Sequence, residues 1–203
     1  MTRLKSARVQ SLDIAIFSLV LTSLFLTACG GTPAPAKTTE PTTGESVKAT
    51  ETTASEWDWF SVVLTDAQTG QTFTMNDYAG KVILVETMAI WCPNCIRQAN
   101  EVRNLHNLLG NPADLVSVSL DVDLHEDQAA LKEYVEEFGF EWHYAVAPLE
   151  VARALGNLYS AQYLNPPLSP MLIIDRNGNV HTLEYGQKSA ETLQKRVEPY
   201  LTP

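Results

Sequence analysis

Lys81-Val82-Ile83-Leu84-Val85-Glu86-Thr87 leads through Met88-Ala89-Ile90 into Trp91-Cys92-Pro93-Asn94-Cys95, and the join between these stretches decides the fold. The first stretch is a nearly continuous apolar run, the pattern of a central strand buried on both faces. After the second, Ile96, Ala99, Val102, Leu105 and Leu109 recur at helical spacing until Gly110. Pro93 suits the first turn of that helix, where its missing N–H would have had no partner. Cys92 then stands at the helix N-terminus, where unpaired N–H groups and the positive dipole end favour a thiolate. Cys95 lies about one turn on, within reach of a mixed disulfide held on Cys92. The pattern therefore predicts Cys92 as attacking sulfur and Cys95 as resolving thiol. A structural disulfide would close too short a loop to stabilise much. A zinc half-site would need a second pair of ligands, and no second CxxC exists.

Outward from this join, strands and helices alternate. Trp57 to Leu64, a turn at Asp66 to Gly70, and Gln71 to Met75 predict a leading β-hairpin. Asp114 to Asp121 reads as a second buried strand, Glu126 to Phe138 as a helix stopped by Gly139, and Trp142 to Val146 as a short strand. Pro148 to Leu155 reads as a short helix capped by Gly156. Met171 to Asp175 and Val180 to Tyr185 form a hairpin about Arg176-Asn177-Gly178-Asn179, and Ser189 N-caps a last helix to Leu201. This order predicts an α/β domain with a mixed central sheet flanked by helices.

The N-terminal part has a different texture. Arg3, Lys5 and Arg8 precede an apolar run from Ile14 to Leu26, which as a helix reaches only about 20 Å, too short to span a bilayer. A basic start with a short apolar run is a secretory signal. Residues 30–56 hold eight Thr and three Pro without apolar periodicity, the composition of a tether that cannot bury enough surface to order itself. The expected organisation is a signal segment 1–28, a tether 29–56 and a folded domain 57–203.

The 203 residues carry 14 Lys+Arg against 24 Asp+Glu, a formal net charge of −10, which argues against nucleic acid as a partner. A hydrophobic fraction of 45%, with four Trp, six Phe and seven Tyr, suffices for one core. Three cysteines are too few for a disulfide-stapled scaffold, so the odd one needs its own explanation.

Two resemblances supply explanations. Leu26-Thr27-Ala28-Cys29 resembles the bacterial lipobox, which implies cleavage before Cys29 and a lipid anchor on its sulfur. From Gly70-Gln71-Thr72-Phe73 through Trp91–Cys95 to Ser169-Pro170-Met171-Leu172-Ile173-Ile174-Asp175, the chain resembles the thioredoxin superfamily in its extracytoplasmic TlpA/ResA branch. That resemblance implies a thioredoxin-like fold with an N-terminal β-hairpin and a helix–strand insertion added to it. It also implies thiol–disulfide exchange with extracytoplasmic protein thiols, electrons from a membrane donor, no cofactor, and a reductant role as in cytochrome c maturation. The domain would face the extracytoplasmic space from the cell membrane or the outer membrane. Glu86, six residues before Cys92, would take the proton from Cys95. Pro170 would be a cis-proline facing the cysteines, with Ser169, Trp91 and Pro93 also contacting substrate.

Departures from the family pattern and rival functions bear on the details. Met88 stands where many relatives have an aromatic, and Asn94 is unfamiliar between the cysteines. A copper-delivering role could use Cys92, Cys95 and His143, Met88 or Met171, but such relatives usually place three residues between the cysteines, and here there are two. A thioredoxin-fold peroxidase would carry Thr or Ser at Ala89. Asp121 to Asp127 is expected to be a solvated loop rather than a metal site. His106, His143 and His181 are expected at the surface or in packing.

Overall fold

The computed structural model describes residues 58–201; the signal segment 1–28, Cys29, the tether 29–56 and Trp57 lie outside the described residues. In chain order the elements are β1 (Leu64–Thr65), β2 (Thr72–Phe73), β3 (Val82–Met88), α1 (Pro93–Leu109), β4 (Leu115–Asp121), α2 (Gln128–Phe138), β5 (His143–Val146), α3 (Leu149–Leu158), β6 (Met171–Ile174), β7 (Val180–Thr182) and α4 (Ala190–Leu201). Strands β1 and β2 pair antiparallel as a small hairpin, and the other five form a sheet in the order β5-β4-β3-β6-β7. β3, β4 and β5 run parallel, while β6 pairs antiparallel with both β3 and β7. This is the mixed α/β sheet of a thioredoxin-like fold.

β3 sits at the centre because its sequence can be buried on both faces: all seven residues are. Val82 and Leu84 pack with residues of α1 and α4, whereas Ile83 and Val85 pack with residues of α3. At about 1.5–3 kcal/mol for each fully buried branched side chain, these four contribute roughly 6–12 kcal/mol. That exceeds the cost of burying one protonatable carboxyl, which is how the same strand can hold Glu86 away from water. α1 starts with Pro93 and stops at Gly110, whose φ of 68° satisfies the last turn in a left-handed conformation. α2 is capped by the Asp127 carboxylate, which accepts the N–H groups of Ala129 and Ala130. Ser189 Oγ accepts the Thr192 N–H at the start of α4.

Three local expectations change. The segment expected as a strand from Trp57 is, at Trp59–Ser61, a turn of 3₁₀-helix, and only Leu64–Thr65 is extended. A strand would send Trp59 and Phe60 to opposite faces. The turn lets Trp59 bury in the core, with its indole N–H on the Tyr159 hydroxyl at 3.1 Å, while Phe60 packs against the same cluster. Gly156 does not cap α3, which continues to Leu158. A Cβ at Gly156 would come within 3.3 Å of Leu164 Cδ1, so the glycine makes room for the following loop. β7 stops at Thr182, short of Tyr185.

Candidate active site

β3 delivers its C-terminal end to Cys92, and the α1 N-terminus takes over there. Cys92 is the N-cap of α1: its N–H donates to Ala89 O at 3.1 Å, and its Sγ accepts the Cys95 N–H at 3.3 Å. Both thiols are free and both are buried, Cys92 with 0% of its surface exposed. Cys95 Sγ lies 3.6 Å from Pro166 O. Burial above all, then the hydrogen bond with Cys92 and the nearby charges of Cys92 and Glu86, hold the Cys95 thiol far above its ordinary range. Cys95 is thus the sulfur kept protonated, and the helix N-terminus serves Cys92.

Glu86 is 4% exposed and faces Ser119 across the β3–β4 register, with the Ser119 hydroxyl donating to Glu86 Oε1 at 2.6 Å. Desolvation pushes its pKa up to about 7, against the opposing pull of that hydrogen bond and of the Lys188 charge. Ser119 Oγ also accepts the Trp142 indole N–H at 2.9 Å, which fixes the direction of the hydroxyl. A buried carboxyl titrating near neutrality, whose charge bears on Cys95, can take up and give back a proton at working pH.

Lys188 and Gln187 close the site from the α4 side, and nothing in their sequence context marks them. Lys188 is buried; its ammonium donates to Ser169 O at 2.9 Å and Gly186 O at 2.6 Å. Its main chain exchanges two hydrogen bonds with the Gln98 side chain on α1. Desolvation lowers its pKa to about 8, with Glu86 and Glu184 pulling the other way. Gln187 Nε2 bridges Asn94 O and Ser169 Oγ, both at 2.8 Å. Lys188→Met is expected to leave Ser169 O and Gly186 O short of a donor, costing about 1–3 kcal/mol for each that stays dry. It also removes a positive charge from Glu86, so thermal unfolding should come earlier and the Glu86 titration should move to higher pH. An unchanged melting temperature with an unchanged pH profile would contradict both roles.

Pro170 stands where the sequence places it, ending the loop beside the motif, but its expected cis bond is absent: no described peptide bond is cis. The chain turns instead at Ser169, which takes φ 46° and ψ 56°. The turn is held because Ser169 N–H donates to Pro166 O, while its carbonyl and hydroxyl are taken by Lys188 and Gln187. In this state the Ser169 N–H is spent on Pro166 O, and its carbonyl already holds the Lys188 ammonium. Pro170 O accepts the Thr87 N–H, tying the loop to β3. Asn94 Nδ2 donates to Pro167 O at 2.7 Å, so the loop lies directly on the motif.

Trp91 is 56% exposed and not packed in the core; its indole N–H donates to Asp123 Oδ2 at 2.6 Å. Pro93 is also exposed. The Asp121–Asp127 segment is not uniformly solvated as expected, because Asp121 ends β4 and is fully buried. No group of three or more His, Cys, Asp or Glu among the described residues could hold a metal ion. His143 spends both ring nitrogens on Asp66 and Tyr78, at 2.9 and 2.7 Å. His106 bonds Ser117 and stacks on Trp142, and His181 bonds Asp175.

Comparison with known proteins agrees with this geometry. A family profile described as Redoxin matches residues 31–198. The chain is 25% identical over 138 residues to the thiol-disulfide oxidoreductase ResA of Geobacillus kaustophilus, covering 67% of this chain and 72% of that protein. Among solved structures it is similar to a thioredoxin-family thiol:disulfide interchange protein of Chlorobium tepidum, with a TM-score of 0.56, 19% identity, and coverage of 70% of this chain and 93% of that one. A thiol-disulfide isomerase of Corynebacterium glutamicum is similar with a TM-score of 0.52 and 21% identity, over 68% of this chain and 94% of that one. At such identities these two likenesses speak for the fold.

Proposed function

The chain belongs to the Redoxin family and is a thiol–disulfide oxidoreductase of thioredoxin-like fold, and from that premise we propose that it is a lipid-anchored reductant of extracytoplasmic protein disulfides. The observation that carries the reading is the pairing of Cys92 at a helix N-terminus with a buried, protonated Cys95 over a carboxyl titrating near pH 7. Cys92 attacks one sulfur of a substrate disulfide and releases the other as a thiolate. Cys95 passes its proton towards Glu86 and attacks Cys92 Sγ, which frees the second substrate sulfur and leaves a Cys92–Cys95 disulfide. The substrate gains two electrons, and a membrane donor of dithiol character returns them to the pair. A sulfur with no exposed surface cannot meet a substrate, so turnover requires a local opening that brings Cys92 Sγ to the surface.

A redox titration against glutathione tests this reading. Cys92 and Cys95 should interconvert reversibly between dithiol and disulfide as one two-electron couple, and a pair with no such transition would overturn it. Tight, stoichiometric Cu(I) binding without exchange activity would replace it with copper delivery.

The anchor rests on the lipobox resemblance at Leu26–Cys29. Labelling with a fatty acid in a bacterial host should mark the protein and disappear in Cys29→Ser. Persistent labelling of that variant would refute the anchor at Cys29.

A further inference from the structure

We propose that Ser119 and Trp142 are positioning residues for the proton step: the Trp142 indole holds the Ser119 hydroxyl aimed at Glu86, and that hydroxyl stabilises the ionised carboxyl. The inference deepens the oxidoreductase reading and rests on it for its catalytic consequence alone.

β4 carries two buried serines in an otherwise apolar stretch, Leu115-Val116-Ser117-Val118-Ser119-Leu120. Spaced two apart, they point to the same face of the sheet, in register with Leu84 and Glu86 on β3. Each meets one aromatic ring from outside the strand. Ser117 Oγ lies 2.9 Å from His106 Nε2 on α1, and Ser119 Oγ accepts the indole N–H of Trp142 at 2.9 Å. The two rings stack, with centroids 6.0 Å apart and planes 19° from parallel. This stack lines an open cavity of about 410 Å³ together with Arg103 and Glu141. Trp142 also borders the interior space around Glu86, so it reaches from the solvent edge to the carboxyl.

An indole nitrogen can only donate. By taking one lone pair of Ser119 Oγ, it leaves the hydroxyl proton for an acceptor, and that acceptor is Glu86 Oε1 at 2.6 Å. A donor feeding the hydroxyl also polarises it and strengthens the bond it gives. Among the described residues Ser119 is the one hydrogen-bond partner of Glu86. Leu84, Val102, Val118 and Met171 wall the space, and the Ser117 hydroxyl is engaged with His106. A hydroxyl bonds an anionic oxygen more strongly than a neutral carboxyl, so the chain from Trp142 favours the ionised form against desolvation. The titratable groups that bear on Glu86 from other elements are Cys95 on α1, Tyr134 on α2, Tyr144 on β5 and Lys188 before α4. Burial keeps the thiol and both phenols protonated, and Lys188 titrates above Glu86, at about 8.

Carbon-13 NMR of the Glu86 carboxyl on the labelled dithiol protein reads this directly between about pH 4 and 10, with Glu86→Gln identifying the resonance. In the unaltered protein its midpoint should fall near 7. The Trp142 indole N–H resonance should move with the same midpoint, and that movement should vanish in Glu86→Gln. Ser119→Ala removes the donor and should raise the carboxyl midpoint by about one pH unit. Trp142→Phe keeps the hydroxyl but frees its direction, and should raise the midpoint by about half a unit. In the Ser119→Ala background Trp142→Phe should add nothing, whereas a merely structural Trp142 would add its own shift there. The pH profile for release of the second substrate thiol should move upward by the same amounts.

An unmoved midpoint in Ser119→Ala, a Trp142→Phe shift that persists without the Ser119 hydroxyl, or an indole resonance blind to Glu86 ionisation would overturn the proposal. The indole measurement leaves Ser119 and Trp142 in place, so it decides even where Ser119→Ala fails to fold. Because the midpoints need no substrate, their failure would leave the oxidoreductase reading intact. Absence of exchange activity would in turn leave the Trp142–Ser119–Glu86 chain intact.

Discussion

Cys95→Ser is expected to accumulate a mixed disulfide on Cys92, and Cys92→Ser to accumulate none. With Cys92 intact at the α1 N-terminus, attack on a substrate disulfide proceeds and the adduct forms. Without the Cys95 sulfur nothing nearby resolves it, and the adduct waits for an external thiol. Loss of Cys92 leaves only the Cys95 thiol, which burial keeps protonated and which lies against Pro166 O. Both variants should lose turnover by at least about 10³-fold, since the two sulfurs act as one unit. Turnover is measured as reduction of a disulfide-bonded protein with the pair recycled by a small dithiol, and the adduct by intact mass. An adduct in Cys92→Ser with none in Cys95→Ser would reverse the assignment.

Glu86→Gln should make the protein more stable above neutral pH and poorer at resolving mixed disulfides. In the folded chain Glu86 titrates near 7 instead of its ordinary 4.5, because it is desolvated. A raised carboxyl pKa means that the folded state binds a proton the unfolded chain has released. Stability is then intact below about pH 4.5, declines as pH rises towards 7, and stays reduced above that. The shift corresponds to about 3 kcal/mol at most. Glutamine keeps the shape and an oxygen for the Ser119 hydroxyl without a charge to desolvate. Denaturant unfolding should show a gain of about 1–3 kcal/mol at pH 8 and almost none at pH 4. Single-turnover release of the second substrate thiol should slow and lose its inflection near pH 7. Equal stability of the two proteins at pH 8 would mean that Glu86 is not buried as a carboxylate there. Gain of stability with loss of turnover is the signature of a group retained for chemistry.

Much of this could be read directly because the signals are local. The continuous apolar run at 82–85 demands burial on both faces, and the periodic Ile96–Leu109 stretch with Pro93 in front demands a helix starting next to Cys92. The leading segment was misleading because Trp59 and Phe60 have strand-forming side chains, while the hydrogen-bond partner of Trp59, Tyr159, lies 100 residues away. Gly156 has the composition of a cap, and only the approach of Leu164 shows why the helix needs it inside. Around the cysteines, Glu86 was legible as a charge within an apolar strand. Lys188, Gln187 and Ser119 were not, because an isolated Lys, Gln or Ser carries no periodicity.

The sequence alone determined the order of strands and helices, the two cysteines at a strand–helix join and the lone carboxyl within the apolar strand before them, since each depends on residues a few positions apart. Tertiary structure decided which groups lose water and what they then face. It turned Ser169 into a left-handed turn tied by Lys188 and Gln187 where a cis-proline was expected, and it buried Asp121 at the end of β4 where a solvated loop was expected. Hydrogen-bond partners and desolvation are set by distance in space, and for these residues that distance joins positions up to about 90 apart in the chain.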